Sequence, residues 1–241
     1  MSKRKIVSFL LLLLLTVSVF IANIIIIENA KGQLPDVTQL TYDKNSETAP
    51  KTVSELEKLF EGITDKGIAF CSEGKETKVK EETVTTVLVN ENWFSDYKTE
   101  INGENISSKN IDNRDKVAII GSSLALKLFF TTDAVGKKIC IDGNQYTICG
   151  VICENESLIN KFSADDKQRV YVPYTTAENY GDRTVDMIVY DNSVYTGAIV
   201  EQMDLPQYYS VNLNEKNQTL SSFEHLSLIH ISEPTRLLSI S

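Results

Sequence analysis

The longest apolar segment of the chain lies near its amino terminus. Residues 6–27 are apolar except for Ser8, Thr16, Ser18 and Asn23. An α-helix rises about 1.5 Å per residue, so a helix of this length crosses a hydrocarbon layer about 30 Å thick. The pattern therefore predicts a transmembrane helix over residues 6–27.

The charges on the two sides of this segment predict its orientation. Residues 3–5 are basic and Glu28 follows the apolar run, and basic residues concentrate on the cytoplasmic side of membrane helices. We therefore expect residues 1–5 in the cytoplasm and the chain after Glu28 outside it. A cleaved signal peptide is less favoured, because residues 28–30 do not form the small-x-small site that cleavage needs.

Turn-forming and polar residues dominate the segment that follows. Residues 28–51 are predicted to be a linker with one short strand over residues 37–42. The outer domain is then expected to begin at Thr52. Residues 52–60 place apolar side chains on one helical face behind a capping residue, either Thr52 or Ser54, which predicts an amphipathic helix.

The rest of the chain alternates short apolar runs with polar turns. The run over residues 116–121 predicts a buried strand, followed by a glycine turn and a helix over residues 124–130 that starts from a serine cap. Asp142-Gly143 between alternating residues predicts a β-hairpin. The predicted strands are residues 67–71, 83–89, 116–121, 137–141, 145–152, 170–173, 186–190 and 208–213, with a further helix over residues 196–203.

These elements follow a β-α-β order twice. That order favours an α+β fold with helices on one face of a sheet. The chain length allows the outer domain, residues 52–224, to form two subdomains. Within it we expect the strand at residues 116–121, the helix after it and the hairpin to form one packed unit that buries Leu128 and Phe129.

Composition and charge narrow the range of partners. The chain of 241 residues carries 24 Lys and Arg against 33 Asp and Glu, a formal charge of -9. This charge repels phosphate backbones, so nucleic acid is not an expected partner. It also disfavours a domain that lies flat on anionic lipid. The expected contact with the membrane is therefore the amino-terminal helix alone.

Four cysteines fall in the part of the chain expected outside the cytoplasm, where disulfides are permitted. They are Cys71, Cys140, Cys149 and Cys153. No C-x-x-C motif occurs and no histidine lies near them, so a zinc site is disfavoured. Buried free thiols and one disulfide both remain open interpretations, and the spacing does not choose a pairing.

A serine hydrolase is the enzyme class that the sequence superficially suggests. The segment 121–125 places Ser122 and Ser123 at a strand-to-helix turn, but Ala125 stands where the nucleophile elbow has glycine. The histidines, His225 and His230, lie in or beside a suspect tail, so the serines have no evident base. A helix cap is the favoured interpretation. No phosphate-binding glycine motif is present, so ATP, if it is used at all, must be handled by another chain.

Two other groups of residues were weighed as sites. Acidic residues in polar loops lack the spacing of a calcium loop and are expected to be solvated: Glu154, Glu156, Asp165 and Asp166. Aromatic residues at helical spacing favour a short helix anchored in the core over a ligand groove: Trp93, Phe94 and Tyr97. The pair Tyr208-Tyr209 remains ambiguous. We assign no catalytic, cofactor-binding or metal-ligating residue, and expect no enzymatic activity.

Residues 225–241 depart from the pattern of the rest of the chain. The string from Ser227 to Arg236 resembles the translation of a sequencing adapter. We therefore expect this tail to be foreign to the fold and to pack on nothing, because it was never selected to match a core.

The middle of the chain carries an ordered series of motifs. In sequence order they are Asn92-Trp93-Phe94, Asn102-Gly103-Glu104, Val117-Ala118-Ile119-Ile120-Gly121, Ser123-Leu124-Ala125-Leu126-Lys127-Leu128-Phe129, Asp133-Ala134-Val135-Gly136-Lys137-Lys138-Ile139 and Tyr146-Thr147-Ile148-Cys149-Gly150-Val151. This series resembles the MacB-like periplasmic core domain of FtsX/MacB-type ABC transporter permeases. The resemblance covers residues 1–224 and is strongest in the middle third.

The resemblance implies an extracytoplasmic α+β domain held at the cell membrane. In this family such a domain couples ATP hydrolysis by a separate cytoplasmic ATP-binding subunit to export or extraction of a substrate at the outer face. It further implies a homodimer or heterodimer of permeases, and three more transmembrane helices after the domain. This chain has the tail in their place and is expected to be a fragment of a permease.

Two other functions are compatible with an anchored, acidic outer domain. One is a membrane-anchored binding or sensor module. The other is an FtsX-like regulator of cell-wall hydrolases, which a neighbouring hydrolase gene would favour.

Overall fold

Residues 11–22 form a helix, α1, in the computed structural model of the chain. The structure describes residues 11–22, 25, 36–60, 67–97, 99–153, 168–192 and 204–213. All side chains of α1 are exposed, and the hydroxyl of Thr16 donates to the Leu13 carbonyl oxygen at 2.8 Å. None of the helices formed by the described residues is long and apolar enough to span a membrane. The ends of the predicted span, residues 6–27, lie outside those residues, so the span remains a prediction.

The described residues of a second compact unit, Asp36–Asn212, form ten strands of one mixed sheet. The strand order is β10-β1-β9-β2-β3-β8-β5-β7-β4, and β6 pairs with β7 beside β4. Two pairs are parallel, β3 with β8 and β5 with β7. The strands are β1 Val37–Tyr42, β2 Ile68–Val79, β3 Glu82–Val89, β4 Ile101–Gly103, β5 Val117–Gly121, β6 Lys138–Ile141, β7 Asn144–Ile152, β8 Gln168–Pro173, β9 Met187–Asp191 and β10 Tyr208–Asn212.

Strand β1 lies where the sequence predicts a short strand within a linker, but it is an interior strand of the sheet. It pairs antiparallel with both β9 and β10. The described part of the predicted linker, residues 36–51, therefore contributes to the same unit as the rest of the domain. Sequence pattern could not show this, because the buried Val37 and Leu40 are three residues apart and point to opposite faces of the strand, and both partner strands are distant in sequence.

Strand β2 is longer than predicted because its second half is polar. It extends to Val79 and pairs with β3, with a register shift between Glu73 and Glu76. Strand β9 pairs only with the first part of β2, up to Cys71. The remainder has one ladder partner and is mostly polar, with Val79 its one buried apolar side chain, so it lacks the apolar pattern by which strands are recognised.

The predicted hairpin at Asp142-Gly143 is confirmed. Strands β6 and β7 pair in register from Ile141↔Asn144 onward. Asp142 has φ 48° and Gly143 has φ 78°, the left-handed conformations of a two-residue turn that Asp-Gly favours.

Four helices accompany the sheet in the described part of this unit. They are α2 Val53–Phe60, α3 Trp93–Asp96, α4 Ser108–Asn113 and α5 Ser122–Phe129, with short 3₁₀ helices at Tyr174–Thr176 and Tyr180–Asp182. The predicted cap of α2 is Thr52, whose backbone N–H donates to Glu55 Oε2 at 2.8 Å while its hydroxyl oxygen accepts from the Glu55 N–H. This reciprocal pair fixes the start of α2.

Helix α5 differs from its prediction at both ends. Gly121 occupies the N-cap position, so Ser122 and Ser123 lie in the first turn and neither is the cap. Leu128 is buried as predicted. Phe129 is only partly buried, against the cluster of apolar side chains that contains Leu128. Phe130 is 90% exposed and forms a left-handed C-cap with φ 58°.

Two clusters of buried side chains lie on the same face of the sheet. The first joins α5 to β3, β5, β7 and β8, and the second joins α2 to β1, β2, β9 and β10. Phe70 of the second cluster and Leu88 of the first share a face, because Ser72 pairs with Leu88 and residues two apart in β2 point the same way. The predicted two subdomains thus correspond to two clusters within one compact unit.

Helix α3 covers the opposite face of the sheet. Phe94 contacts Tyr171 with ring centroids 5.2 Å apart, whereas Val170 and Val172 of the same strand pack with α5. The expectation that the helices occupy one face is therefore wrong for α3. The predicted helix at residues 196–203 and the tail at residues 225–241 lie outside the described residues.

Candidate functional site

A groove of about 590 Å³ opens where strand β8 ends. The 3₁₀ helices after β8 form one wall, and the end of α4 and the start of β5 form the other. Its lining consists of Arg114, Lys116 and residues 175–181. We call it the Tyr180 groove.

The sequence after β8 explains why the chain turns here. Pro173 has no backbone N–H for a ladder, so β8 ends at it. The hydroxyl of Thr175 donates to the Ile111 carbonyl oxygen at 2.7 Å, which ties the turn to helix α4. The hydroxyl of Thr176 donates to the Pro173 carbonyl oxygen at 2.7 Å. These two hydroxyls fix the wall of the groove.

Arg114 enters the groove from a strained backbone position. It is the C-cap of α4 with φ 55°, and its N–H donates to the carbonyl oxygens of Asn110 and Ile111. Its guanidinium carbon lies 5.3 Å from the centroid of the Tyr180 ring, the geometry of a cation–π contact. Helix α4 was not predicted; its capping box, Ser107 with Asn110, uses asparagine where the common motif has Glu or Gln.

A row of aromatic rings leads from the groove into the core. The Tyr180 ring lies 5.5 Å from Tyr174, which lies 5.1 Å from Phe70. The Tyr174 hydroxyl donates to Glu57 Oε1 at 3.0 Å, and burial, followed by this contact with the carboxylate, raises the pKa of Tyr174. Tyr174 packs against both apolar clusters and so connects the two halves of the sheet.

The groove carries more positive than negative charge. Lys116 donates to Asn144 Oδ1 at 2.8 Å, which leaves its charge without an acidic partner. In the described ranges neither Arg114 nor Lys116 forms an ion pair, although Glu178 also lines the groove. An acidic protein thus presents two cations that form no ion pair with the described residues in one concave surface.

A second polar area lies beneath α3 on the opposite face. Tyr97 receives a hydrogen bond from Gln39 Nε2 and its hydroxyl lies 3.4 Å from Met187 Sδ. Burial, with repulsion from Asp191 as the smaller cause, raises the pKa of Asp96 to about 7. One Asp96 carboxyl oxygen is buried with no hydrogen-bond partner. This area can take up a proton near neutral pH.

The residues weighed for hydrolase chemistry do not form a site within the described residues. Ser123 Oγ lies 3.5 Å from Gln168 Oε1, which is not a base. His225 and His230 lie outside those residues, as do the acidic residues Glu154, Glu156, Asp165 and Asp166. The described part of the chain brings no three His, Cys, Asp or Glu side chains together as a metal site requires.

The aromatic residues weighed as a groove are core residues instead. Trp93 and Phe94 of α3 are buried, which confirms the core interpretation. Tyr97 is partly buried and its ring lies 5.1 Å from Trp93. Tyr208 is buried and donates to the Val185 carbonyl oxygen at 2.7 Å, whereas Tyr209 is 52% exposed.

All four cysteines are free thiols. Cys71 is buried, Cys149 is partly buried, and Cys140 and Cys153 are exposed. Burial raises the pKa of Cys149 to about 11, so its thiol stays protonated and unreactive. The interpretation as small buried side chains holds for Cys71, and none of the four is paired in a disulfide.

Sequence reasoning missed the three residues that define the groove. Arg114 and Tyr180 lie in polar stretches that carry no periodic pattern or motif, and Lys116 is only the first residue of a predicted buried strand. Arg114 and Tyr180 meet only because β5 and β8 pair antiparallel, which places the start of β5 beside the end of β8. A single sequence carries no signal for that pairing.

Comparisons with known proteins identify the fold. The model of a family described as MacB-like periplasmic core domain matches residues 7–204. The periplasmic region of MacB from Actinobacillus actinomycetemcomitans aligns with a TM-score of 0.60 at 14% identity, covering 81% of this chain and 97% of that one. The extracellular domain of the noncanonic ABC-type transporter YknZ from Gram-positive bacteria aligns with a TM-score of 0.52 at 16% identity, covering 69% and 88%.

A comparison with curated proteins finds no match. The two structural alignments, both at low sequence identity, establish a shared fold, and the family model independently covers most of the chain. The resemblance inferred from the motifs of the middle segment is therefore confirmed: this chain belongs to the MacB-like periplasmic core domain family.

Proposed function

We propose that this chain is the extracytoplasmic part of an ABC transporter permease. In this role it relays conformational change, driven by a separate cytoplasmic ATP-binding subunit, to the movement of a substrate at the outer face of the membrane. The observation that carries the proposal is the family match over residues 7–204. Of the similar proteins of known structure, YknZ is by name an ABC-type transporter, and the MacB structure is that of a periplasmic region.

Two features of the chain support a role in transmitting conformational change and not in catalysis. These 241 residues contain no phosphate-binding glycine motif, which is compatible with ATP hydrolysis by a separate subunit. A continuous sheet joins the two apolar clusters, and Tyr174 packs against both. Packed elements of this kind transmit a displacement as a unit, because close-packed interiors are poorly compressible.

One experiment tests both whether the chain associates with an ATP-binding subunit and whether changes in its outer domain affect the ATPase activity of that subunit. Purification of the full chain in detergent from the membranes of its own host is expected to retain an ATP-binding subunit with ATPase activity. Tyr174→Ala is expected to lower that activity without releasing the subunit, because it removes the contact shared by the two clusters. Tyr209→Ala, which changes an exposed tyrosine, is the control and should leave the activity unchanged. Absence of any ATP-binding subunit would rule the proposal out.

An anchored binding module is the second candidate. The Tyr180 groove favours it, because a concave surface with two cations and one carboxylate suits ligand capture. Such a module would occupy the same outer location but would purify without an ATPase. The same purification therefore distinguishes the two functions.

A further inference from the structure

The Tyr180 groove has donors of the kind that recognise oxyanions. Arg114 presents a planar guanidinium, whose N–H groups match the two oxygens of a carboxylate or phosphate. Lys116 adds a second positive charge on the same lining. Its hydrogen bond at 2.8 Å goes to the neutral Asn144 side chain, so its charge remains available to an anion.

Arg114 is held in place before any ligand arrives. The left-handed backbone at φ 55° is secured by two hydrogen bonds from its N–H to helix α4, and its guanidinium rests on the Tyr180 ring. The ring of Tyr180 is itself held against Tyr174. Within the described residues no hydrogen bond occupies the guanidinium N–H donors of Arg114, so they remain for a ligand. A preorganised side chain loses less conformational entropy when it binds.

The surrounding charge makes this groove distinct from the rest of the surface. The chain has a formal charge of -9, so most of its surface repels anions. Within the described residues, no carboxylate neutralises Arg114 or Lys116. Glu178 lines the same groove and weakens the positive potential without closing an ion pair.

We propose that the Tyr180 groove is a binding site for a small oxyanionic ligand, one that carries a carboxylate or a phosphate group, with Arg114 as its main anchor and Lys116 as its second. Such a ligand bridges α4, the start of β5 and the turn after β8. Ala177 packs against the first apolar cluster and Tyr180 against the second, so the ligand is in contact with residues that belong to each.

The direct test is titration of the full chain in detergent with inorganic phosphate and, separately, with acetate, at constant ionic strength set by sodium chloride. Binding is followed by isothermal titration calorimetry. We expect saturable binding of at least one anion in the millimolar range. Saturation by phosphate alone assigns a phosphate-bearing ligand, and saturation by acetate alone assigns a carboxylate. Absence of saturation with both anions would overturn the proposal.

Four variants distinguish a built site from general attraction to positive charge. Arg114→Gln should weaken binding by about tenfold, as expected for the loss of a charge-assisted hydrogen bond. Lys116→Gln should weaken it less. Glu178→Gln should strengthen it, because it removes a competing negative charge. Lys109→Gln, which changes an exposed lysine of α4 outside the groove lining, should leave affinity unchanged.

The tighter binding expected for Glu178→Gln cannot be explained by misfolding, since an unfolded variant cannot bind more tightly. Equal affinity of Arg114→Gln and the unmodified chain would contradict the assignment of Arg114. An equal loss in Lys109→Gln would show attraction to net charge and no specific site. Neither result bears on the proposed transport function, which is tested by the ATP-binding subunit.

Discussion

At the scale of the residue, helix α5 places two leucines in opposite environments. Leu128 is 3% exposed within the first apolar cluster, whereas Leu126 is 53% exposed. Leu128→Ala should lower the free energy of unfolding by about 2–5 kcal/mol, because it removes buried methyl groups and leaves a cavity. Leu126→Ala makes the same chemical change on the same helix and should cost no more than about 0.5 kcal/mol. Equal denaturant midpoints for both variants would contradict this placement.

Phe129 falls between these two cases. Its ring is partly buried, and the ammonium groups of Lys80 and Lys137 lie 4.4 Å and 5.1 Å from its centroid. Lys80 also donates to the carbonyl oxygen of Leu128, at the carboxyl end of the helix. The ring of Phe129 therefore contacts two cations, of which Lys80 also suits the helix dipole, where the sequence predicted a buried side chain.

Asp96 gives the domain a pH dependence with a definite sign. Burial and, to a lesser degree, Asp191 raise the pKa of Asp96 to about 7. Between about pH 4 and about pH 7 the folded state keeps a proton that the unfolded state has released. The contribution of protonated Asp96 to the stability of the fold is therefore complete below about pH 4 and is lost as pH rises through about 7. Asp96→Asn should flatten the fall in melting temperature between these values.

The control for this measurement is Asp112→Asn, which changes an exposed carboxylate on helix α4. It should keep the pH dependence of the unmodified chain. An unchanged slope in Asp96→Asn would show that Asp96 does not hold the proton.

At the scale of the element, the edge strand β4 depends on the absence of a side chain at Gly103. A Cβ there would lie 2.4 Å from the Cys149 carbonyl oxygen, and the residue has φ 111°. Gly136 has a comparable φ of 81° with open space around it. Gly136→Ala should cost about 1–3 kcal/mol through backbone strain alone. Gly103→Ala adds a backbone clash and should cost more. Thermal unfolding of the two variants measures the difference. Equal losses of stability would contradict a role for the close approach of Gly103 to the Cys149 carbonyl oxygen.

Elements with local signals could be predicted from the sequence, and those defined by distant partners could not. The Asp142-Gly143 turn and the Thr52 cap are specified by neighbouring residues, and both are found. The polar half of β2 gains its conformation from pairing with β3. The Tyr180 groove depends in the same way on the antiparallel pairing of β5 with β8. The residues that line the groove therefore could not be predicted from the sequence pattern alone.

At the scale of the whole molecule, the amino-terminal segment is predicted to hold the domain outside the cytoplasm. Basic residues 3–5 precede the apolar run, and the family match begins at residue 7. Alkaline phosphatase fused after residue 60 should therefore be active, because the enzyme functions only after export. A fusion after residue 5 is the control and should be inactive. An inactive fusion at residue 60, or a mature chain that begins near residue 31, would contradict a retained anchor.

The pairing of β1 with both β9 and β10 sets an order for the folding of the domain. Thr38 pairs with Tyr190 and Asn212, so the first strand of the sheet finds its neighbours only in the last two. A chain that emerges from its amino terminus must expose both edges of β1 until residues 187–212 have followed. Contacts so distant in sequence slow folding, and an open strand edge meanwhile invites pairing with other chains. The interval between the emergence of β1 and of β10 is therefore the period when this domain is most prone to aggregate.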